Sequence, residues 1–134
     1  MPQEDGSLKP LPNDFFLSQH SFLNGGGGLI SSTDDYLRFA RMLLNEGELD
    51  GKRILKAETV RLMRQNQLPA GVDDIGPFFP GNQFGLNVAV VNDSQAAGYL
   101  PEGTFWWWGI QGAWAWIDPT NETIVLGMMQ NTDY

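Results

Sequence analysis

Apolar residues between positions 33 and 46 follow the spacing of an amphipathic helix. Ser32 and Asp35 form a variant of the capping box at the start of this stretch, and Gly47 is typical of a helix C-terminus. The apolar positions recur at i, i+3, i+4 and i+7, as expected for one buried helix face: Tyr36, Phe39, Ala40, Leu43 and Leu44. We therefore predict a helix over 33–46.

A second amphipathic stretch predicts a helix over 56–66, and the Asp50-Gly51 pair predicts a small hairpin between the two helices. After a long loop at 67–82, the pattern changes to the alternation typical of strands. The predicted strands are 83–92, 104–108, 113–117 and 122–130. Short turns between sequential strands indicate an antiparallel β-meander of three to four strands packed with the two helices, an α+β fold.

Residues 1–19 contain three prolines among polar residues and show no periodicity. We interpret them as an extended lead-in or linker, followed by the folded part at 20–134. The chain has 134 residues, a length typical of one domain.

Charge and cysteine content exclude several classes of function. The net charge is −8 and every Lys and Arg lies at or before Arg64, which argues against a nucleic-acid partner. The absence of Cys and the single His argue against a thiol nucleophile and against a Cys- or His-rich metal site. We expect no cofactor, no metal and no membrane partner, and the sequence does not indicate a compartment.

No complete catalytic set is visible in the sequence. None of the six serines has Lys three residues later, no Tyr has Asn two residues later, and there is no Gly-x-Ser-x-Gly elbow. His20 lies beside Ser18 and Ser21, but no third group is evident to orient it. We interpret His20 as a solvent-facing or rim histidine and predict no catalytic residue in this chain.

All five tryptophans fall between positions 106 and 116. The period of a strand puts Trp106 and Trp108 on one face, with Trp107 on the other, and again pairs Trp114 with Trp116. Five indoles exceed what one core layer of a small sheet needs. One face is either a binding wall or part of a core packed on both faces, and the sequence leaves both open.

Three segments in order resemble the C-terminal part of serine β-lactamase-like hydrolases. They are Gly25-Gly26-Gly27-Gly28 running into the first helix, Gly47-Glu48-Leu49-Asp50-Gly51, and Trp107 to Pro119. The family includes class C β-lactamases, penicillin-binding-protein-like D-Ala-D-Ala peptidases and family VIII esterases. The resemblance runs over roughly residues 20–131 and implies a fragment of the β-lactamase/transpeptidase-like fold.

The resemblance also implies where a substrate pocket would lie. Ser-x-x-Lys and Tyr-x-Asn are absent from this chain, whereas the third family motif, Lys-Thr-Gly or the Trp-Gly-Gly of the esterases, falls on Trp107-Trp108-Gly109. Its backbone would line the acyl pocket on an edge strand, with an oxyanion-hole amide near Ile110. Trp108 adds bulk where the family has Thr or Gly, and the missing Lys agrees with the esterase branch.

The expected function is that of a C-terminal fragment of a serine hydrolase, inactive alone, whose longer parent acts on an ester, an amide or a β-lactam. The alternative is a small Trp-rich module that binds a carbohydrate or a peptide. We also expect the isolated chain to self-associate through its sheet, most simply as a two-fold dimer with Trp106–Trp116 at or near the contact.

Overall fold

The computed structural model describes residues 22, 26, 27 and 29–129. The predicted lead-in at 1–19, His20 with its two serines, and part of the glycine run lie outside the described residues. Two helices, a two-stranded hairpin and a five-stranded antiparallel sheet follow one another along the chain. The α+β class is confirmed.

The first helix, α1 (Thr33–Leu44), begins as the sequence predicts. Ser32 is its N-cap: the Ser32 Oγ accepts from the backbone N–H of Asp35 at 3.1 Å and donates to the Asp35 carboxylate at 2.9 Å. The helix ends two residues earlier than predicted. Glu46, rather than Gly47, is the first residue with positive φ, and the Gly47 N–H donates to the Met42 carbonyl at 2.8 Å in a Schellman arrangement.

The predicted hairpin is confirmed as β1 (Glu48–Leu49) and β2 (Lys52–Arg53), with Asp50 and Gly51 both at positive φ in the turn. The second helix, α2 (Ala57–Met63), is shorter than its predicted range.

The five-stranded sheet contains one strand more than the alternation pattern indicated. The single strand expected at 83–92 is two strands, β3 (Asn82–Phe84) and β4 (Ala89–Val91). They are joined by a turn in which the Gly85 N–H donates to the Val88 carbonyl at 2.8 Å and Asn87 takes a φ of 66°. Asn tolerates this left-handed conformation, so Gly85 and Asn87 were the turn signal within the apolar alternation.

The remaining strands are β5 (Phe105–Trp108), β6 (Trp114–Asp118) and β7 (Thr123–Gly127). Their spatial order is β3-β4-β5-β6-β7, so neighbouring strands in the sequence are neighbours in the sheet. This is the predicted meander. None of the helices in the described part of the chain is both long and apolar enough to cross a membrane.

Both helices pack against one face of the five-stranded sheet and form the core with it. The register places Val90, Phe105 and Ile117 side by side across three strands, and all three are buried. The helices contribute the other buried members of the same cluster: Ala40, Met42, Leu43 and Val60. The opposite face of the sheet carries most of the tryptophans.

Candidate functional site

Four of the five tryptophans line one shallow cleft on the sheet face that the helices do not cover. Strand register sets this arrangement, because Trp106 lies opposite Trp116 and Trp108 lies opposite Trp114. Gly112 and Met129 complete the lining of the cleft, whose volume is about 280 Å³. The predicted grouping of Trp106 with Trp108 and of Trp114 with Trp116 is therefore correct.

Ring contacts and one hydrogen bond fix the indoles in the cleft. Trp106 packs edge-on against Trp116 with ring centroids 6.3 Å apart, and Phe79 from the preceding loop packs edge-on against Trp106 at 5.4 Å. The Trp106 indole N–H donates to the Asn82 side-chain oxygen at 2.8 Å. The Asn82 amide in turn donates to the Pro80 carbonyl at 3.1 Å. Sequence reasoning missed Asn82, because Asn at the end of a loop gives no sign that it is buried.

The cleft also depends on a glycine in the neighbouring strand. Gly127 lies directly opposite Trp114, and the Trp114 indole covers it so closely that a Cβ on Gly127 would overlap the ring. Any other residue at 127 must displace this indole. Close packing of an aromatic ring over a cross-strand glycine is a known way to pin sheet register.

The four residues predicted to form the substrate pocket do not share one surface. Trp108 lines the cleft, whereas Trp107 is 42% exposed and packs edge-on against Phe84 at 5.2 Å. Gly109 and Ile110 stand in the β5–β6 turn, where Ile110 is 76% exposed.

The β5–β6 turn is closed by two backbone hydrogen bonds. The Gly109 N–H donates to the Ala113 carbonyl at 2.7 Å, and the Gly112 N–H donates to the Gly109 carbonyl at 2.8 Å. Gly112 has a φ of 85°, which favours glycine there. The Gly109 amide is thus committed to the turn, and Ile110 occupies the first of the two central turn positions.

The strand that carries the motif is not an edge strand, contrary to the expectation from the resemblance. β5 lies between β4 and β6 in the sheet. However, β4 pairs only with Phe105 and Trp106, so Trp107 and Trp108 continue beyond the end of β4 while still paired with β6. Strand β4 is short because the turn at residues 85–88, which the sequence analysis did not predict, occupies the first part of the expected strand.

A second concave region, beside the β1–β2 hairpin, is built of ion pairs. Its carboxylates have arginine partners: Arg61 binds Glu46 through two nitrogens, Arg53 binds Glu48 at 2.8 Å, and Arg38 binds Asp50 at 2.8 Å. The hydrogen bond from Arg61 is the main reason why the pKa of Glu46 is lowered, and the same bond raises the pKa of Arg61. This cluster joins α1 to α2 and the hairpin, and we interpret it as structural.

No group of three or more His, Asp or Glu side chains among the described residues could hold a metal ion.

The family model described as Beta-lactamase matches residues 1–134. The chain belongs to the Beta-lactamase family. This confirms the serine β-lactamase-like resemblance seen in the sequence.

Two curated Mycobacterium tuberculosis proteins, "Uncharacterized protein MT1414" and "Protein Rv1367c", are each 45% identical to this Beta-lactamase family chain over 122 residues. The match covers 83% of this chain and 30% of each relative.

Two solved structures share the fold. "EstCE1, a hydrolase with promiscuous acyltransferase activity" has a TM-score of 0.75 and 28% identity, over 98% of this chain and 33% of that one. A putative 6-aminohexanoate-dimer hydrolase from Bacillus anthracis has a TM-score of 0.57 and 24% identity, over 77% of this chain and 24% of that one. The chain therefore spans about a third or less of the length of these relatives.

Proposed function

We propose that this chain forms one wall of the acyl-enzyme site of a serine hydrolase, and that the Ile110 amide is one donor of its oxyanion hole. The family assignment and the likeness to a hydrolase with acyltransferase activity support the reaction class. The observation that carries the proposal is the position of the β5–β6 turn. Strand β5, which carries the residues that resemble the third family motif, continues past the end of β4. The β5–β6 turn therefore projects from the sheet with Ile110 at its tip.

In the proposed reaction, a serine supplied by the rest of a longer protein attacks the substrate carbonyl carbon, and a neighbouring base takes the serine proton. Negative charge then develops on the former carbonyl oxygen. A backbone N–H aimed at that oxygen stabilises the transition state more than the ground state. We assign the Ile110 amide as this donor because the family resemblance places the donor just after Gly109, whose own amide binds Ala113.

The charge distribution supports a neutral acyl substrate. Residues 65–134 contain no Lys or Arg and seven acidic residues. The five-stranded sheet, which lies within this range, therefore offers no cation to a substrate carboxylate, and Trp108 adds apolar bulk beside the turn. We accordingly propose esters of uncharged acids as better substrates than β-lactams that carry a carboxylate.

Replacement of Ile110 by proline in the longer protein tests the oxyanion role. Proline removes the N–H, and its fixed φ suits the first central position of a turn, so the turn should be kept. We expect kcat for p-nitrophenyl esters to fall about 10²–10³-fold with little change in KM. Ile110→Ala is the matched control, because it removes the side chain but keeps the amide. An Ile110→Pro enzyme with unchanged kcat would contradict the assignment.

The isolated chain provides a second test of the same proposal. It contains neither Ser-x-x-Lys nor Tyr-x-Asn, and we interpret His20 as a rim histidine, so the chain should hydrolyse neither nitrocefin nor p-nitrophenyl esters above the buffer rate. Saturable turnover that disappears on mutation of Ser18 or Ser21 would overturn the idea that the catalytic serine is supplied from outside this chain.

The cleft gives weaker support to the alternative of a carbohydrate-binding module. Sugar sites combine aromatic faces with polar side chains that hydrogen-bond hydroxyl groups. Among the described residues, the cleft is lined only by Trp, Gly and Met, and the Trp106 N–H already binds Asn82.

A further inference from the structure

Strand pairing by itself does not fix the orientation of the Trp107 indole. Strand β4 pairs with Phe105 and Trp106 of β5 and extends no further, whereas Trp107 pairs with Ala115 of β6. Ala115 carries a single methyl group, so it offers the indole no large cross-strand neighbour. A side chain from another part of the chain has to hold the Trp107 ring.

Phe84, at the end of β3, supplies this contact. Its ring packs edge-on against the Trp107 indole, with ring centroids 5.2 Å apart and an angle of 74° between the ring planes. This geometry is one that aromatic pairs prefer. The adjacent Trp106 is tilted by 33° to the same indole, at a centroid distance of 6.3 Å. Phe84 is therefore the ring from a different strand that contacts Trp107.

The backbone around Phe84 is itself held by the segment at the end of α2. The Gln67 N–H donates to the Phe84 carbonyl at 2.7 Å. Two residues after Phe84, the Leu86 N–H donates to the Met63 carbonyl at 2.8 Å. The Phe84 ring thus stands on a fixed backbone, which is what a residue needs in order to orient another side chain.

We propose that Phe84 is a positioning residue, which fixes the Trp107 indole as an apolar wall for the acyl chain of the substrate. This inference rests on the proposed function, because it takes the β5–β6 turn with Ile110 as part of the acyl-enzyme site. Strand alternation turns Trp107 away from the cleft, and β5 leads from Trp107 directly into that turn. A fixed indole binds an apolar acyl chain equally in the substrate and in the transition state, so it lowers KM and leaves kcat unchanged.

Phe84→Ala in the longer protein tests the proposal with two p-nitrophenyl esters. Loss of the ring frees the indole, so KM for the butyrate should rise about two- to tenfold, the size of one aromatic contact, with kcat unchanged. KM for the acetate should change less, because its acyl group buries less apolar surface against the indole. Phe84→Tyr keeps the ring and should restore the wild-type KM.

Phe79→Ala is the matched control. Phe79 is half-buried like Phe84 and packs edge-on against the neighbouring indole, Trp106, at 5.4 Å. Trp106 keeps its hydrogen bond to Asn82 when this ring is removed. The control should therefore lose stability in urea denaturation, as Phe84→Ala does, but keep the wild-type KM for both esters.

Phe84→Leu keeps apolar volume without an aromatic ring, so it should also raise KM for the butyrate, and it serves as the test variant if Phe84→Ala does not fold. An active wild type whose KM is the same in the Phe84 variants, or a rise in KM shared by Phe79→Ala, would overturn this inference alone. A fall in kcat at unchanged KM would overturn it as well. A longer protein that hydrolyses neither ester would overturn the proposed function, and this inference with it.

Discussion

The two faces of the five-stranded sheet use neighbouring residues of the same strands for different purposes. Phe105 and Ile117 point toward the helices and are 3% and 5% exposed. Trp106 and Trp116, one position away in each strand, are only partly buried and line an open cleft. The larger side chains are thus on the more open face. Burial here follows from which face the helices cover, and not from the size of the side chain.

The two faces also differ in what we expect them to contribute to the stability of the fold. The helix-covered face provides the contiguous core of the described residues. Trp108 on the cleft face and the Ile110 amide in the β5–β6 turn are the groups that we propose for the acyl-enzyme site. Substitutions on the two faces should therefore lower the free energy of unfolding by different amounts.

Truncation of one aromatic residue on each face should give the largest contrast. Phe105→Ala removes a buried core ring and should lower the free energy of unfolding by about 3–5 kcal/mol. Trp116→Ala should cost clearly less, because the indole is already partly in water. Urea denaturation of the two variants measures the difference. Equal costs would show that the cleft face is covered in solution.

Within α1, substitution of the core residue Leu43 should lower the free energy of unfolding more than substitution of the N-cap residue Ser32. Leu43→Ala should cost about 2–5 kcal/mol, because Leu43 is 4% exposed in the core. Ser32→Ala should cost about 0.5–2 kcal/mol through loss of the N-cap bond to Asp35. If urea melts rank Ser32→Ala above Leu43→Ala, α1 does not bury the face described above.

The smallest effect is expected from the ion pairs that join the helices, because exposed ion pairs contribute little. The pKa of Glu46 is lowered in the folded chain, so its ionised form stabilises the fold at neutral pH. This contribution is lost as the pH falls through the lowered folded pKa. Glu46→Gln should be slightly less stable than wild type near pH 7, and the two should converge in acid. A difference that persists at low pH would point to another cause.

The sequence predicted correctly the elements that depend on adjacent residues. It failed where an element depends on contacts with residues that are distant in the sequence. The N-cap at Ser32 and the Asp50-Gly51 turn were predicted from adjacent residues. The strand at 83–92 was wrong, because its apolar alternation continues through a turn marked only by Gly85 and Asn87. Position 85 requires glycine because the Met63 carbonyl, from the end of α2, lies where a Cβ would be. The same carbonyl accepts a hydrogen bond from the Leu86 N–H.

The sequence by itself determined the α+β class, the pairing of tryptophans along each strand and the family resemblance, because periodicity, capping and ordered motifs are properties of neighbouring residues. Only the tertiary structure decided that β5 lies inside the sheet and which sheet face the helices cover. It also decided that the loop before β3 bonds the outer backbone groups of that strand. These depend on which distant segments supply hydrogen-bond partners and cover, and a linear pattern does not carry that information.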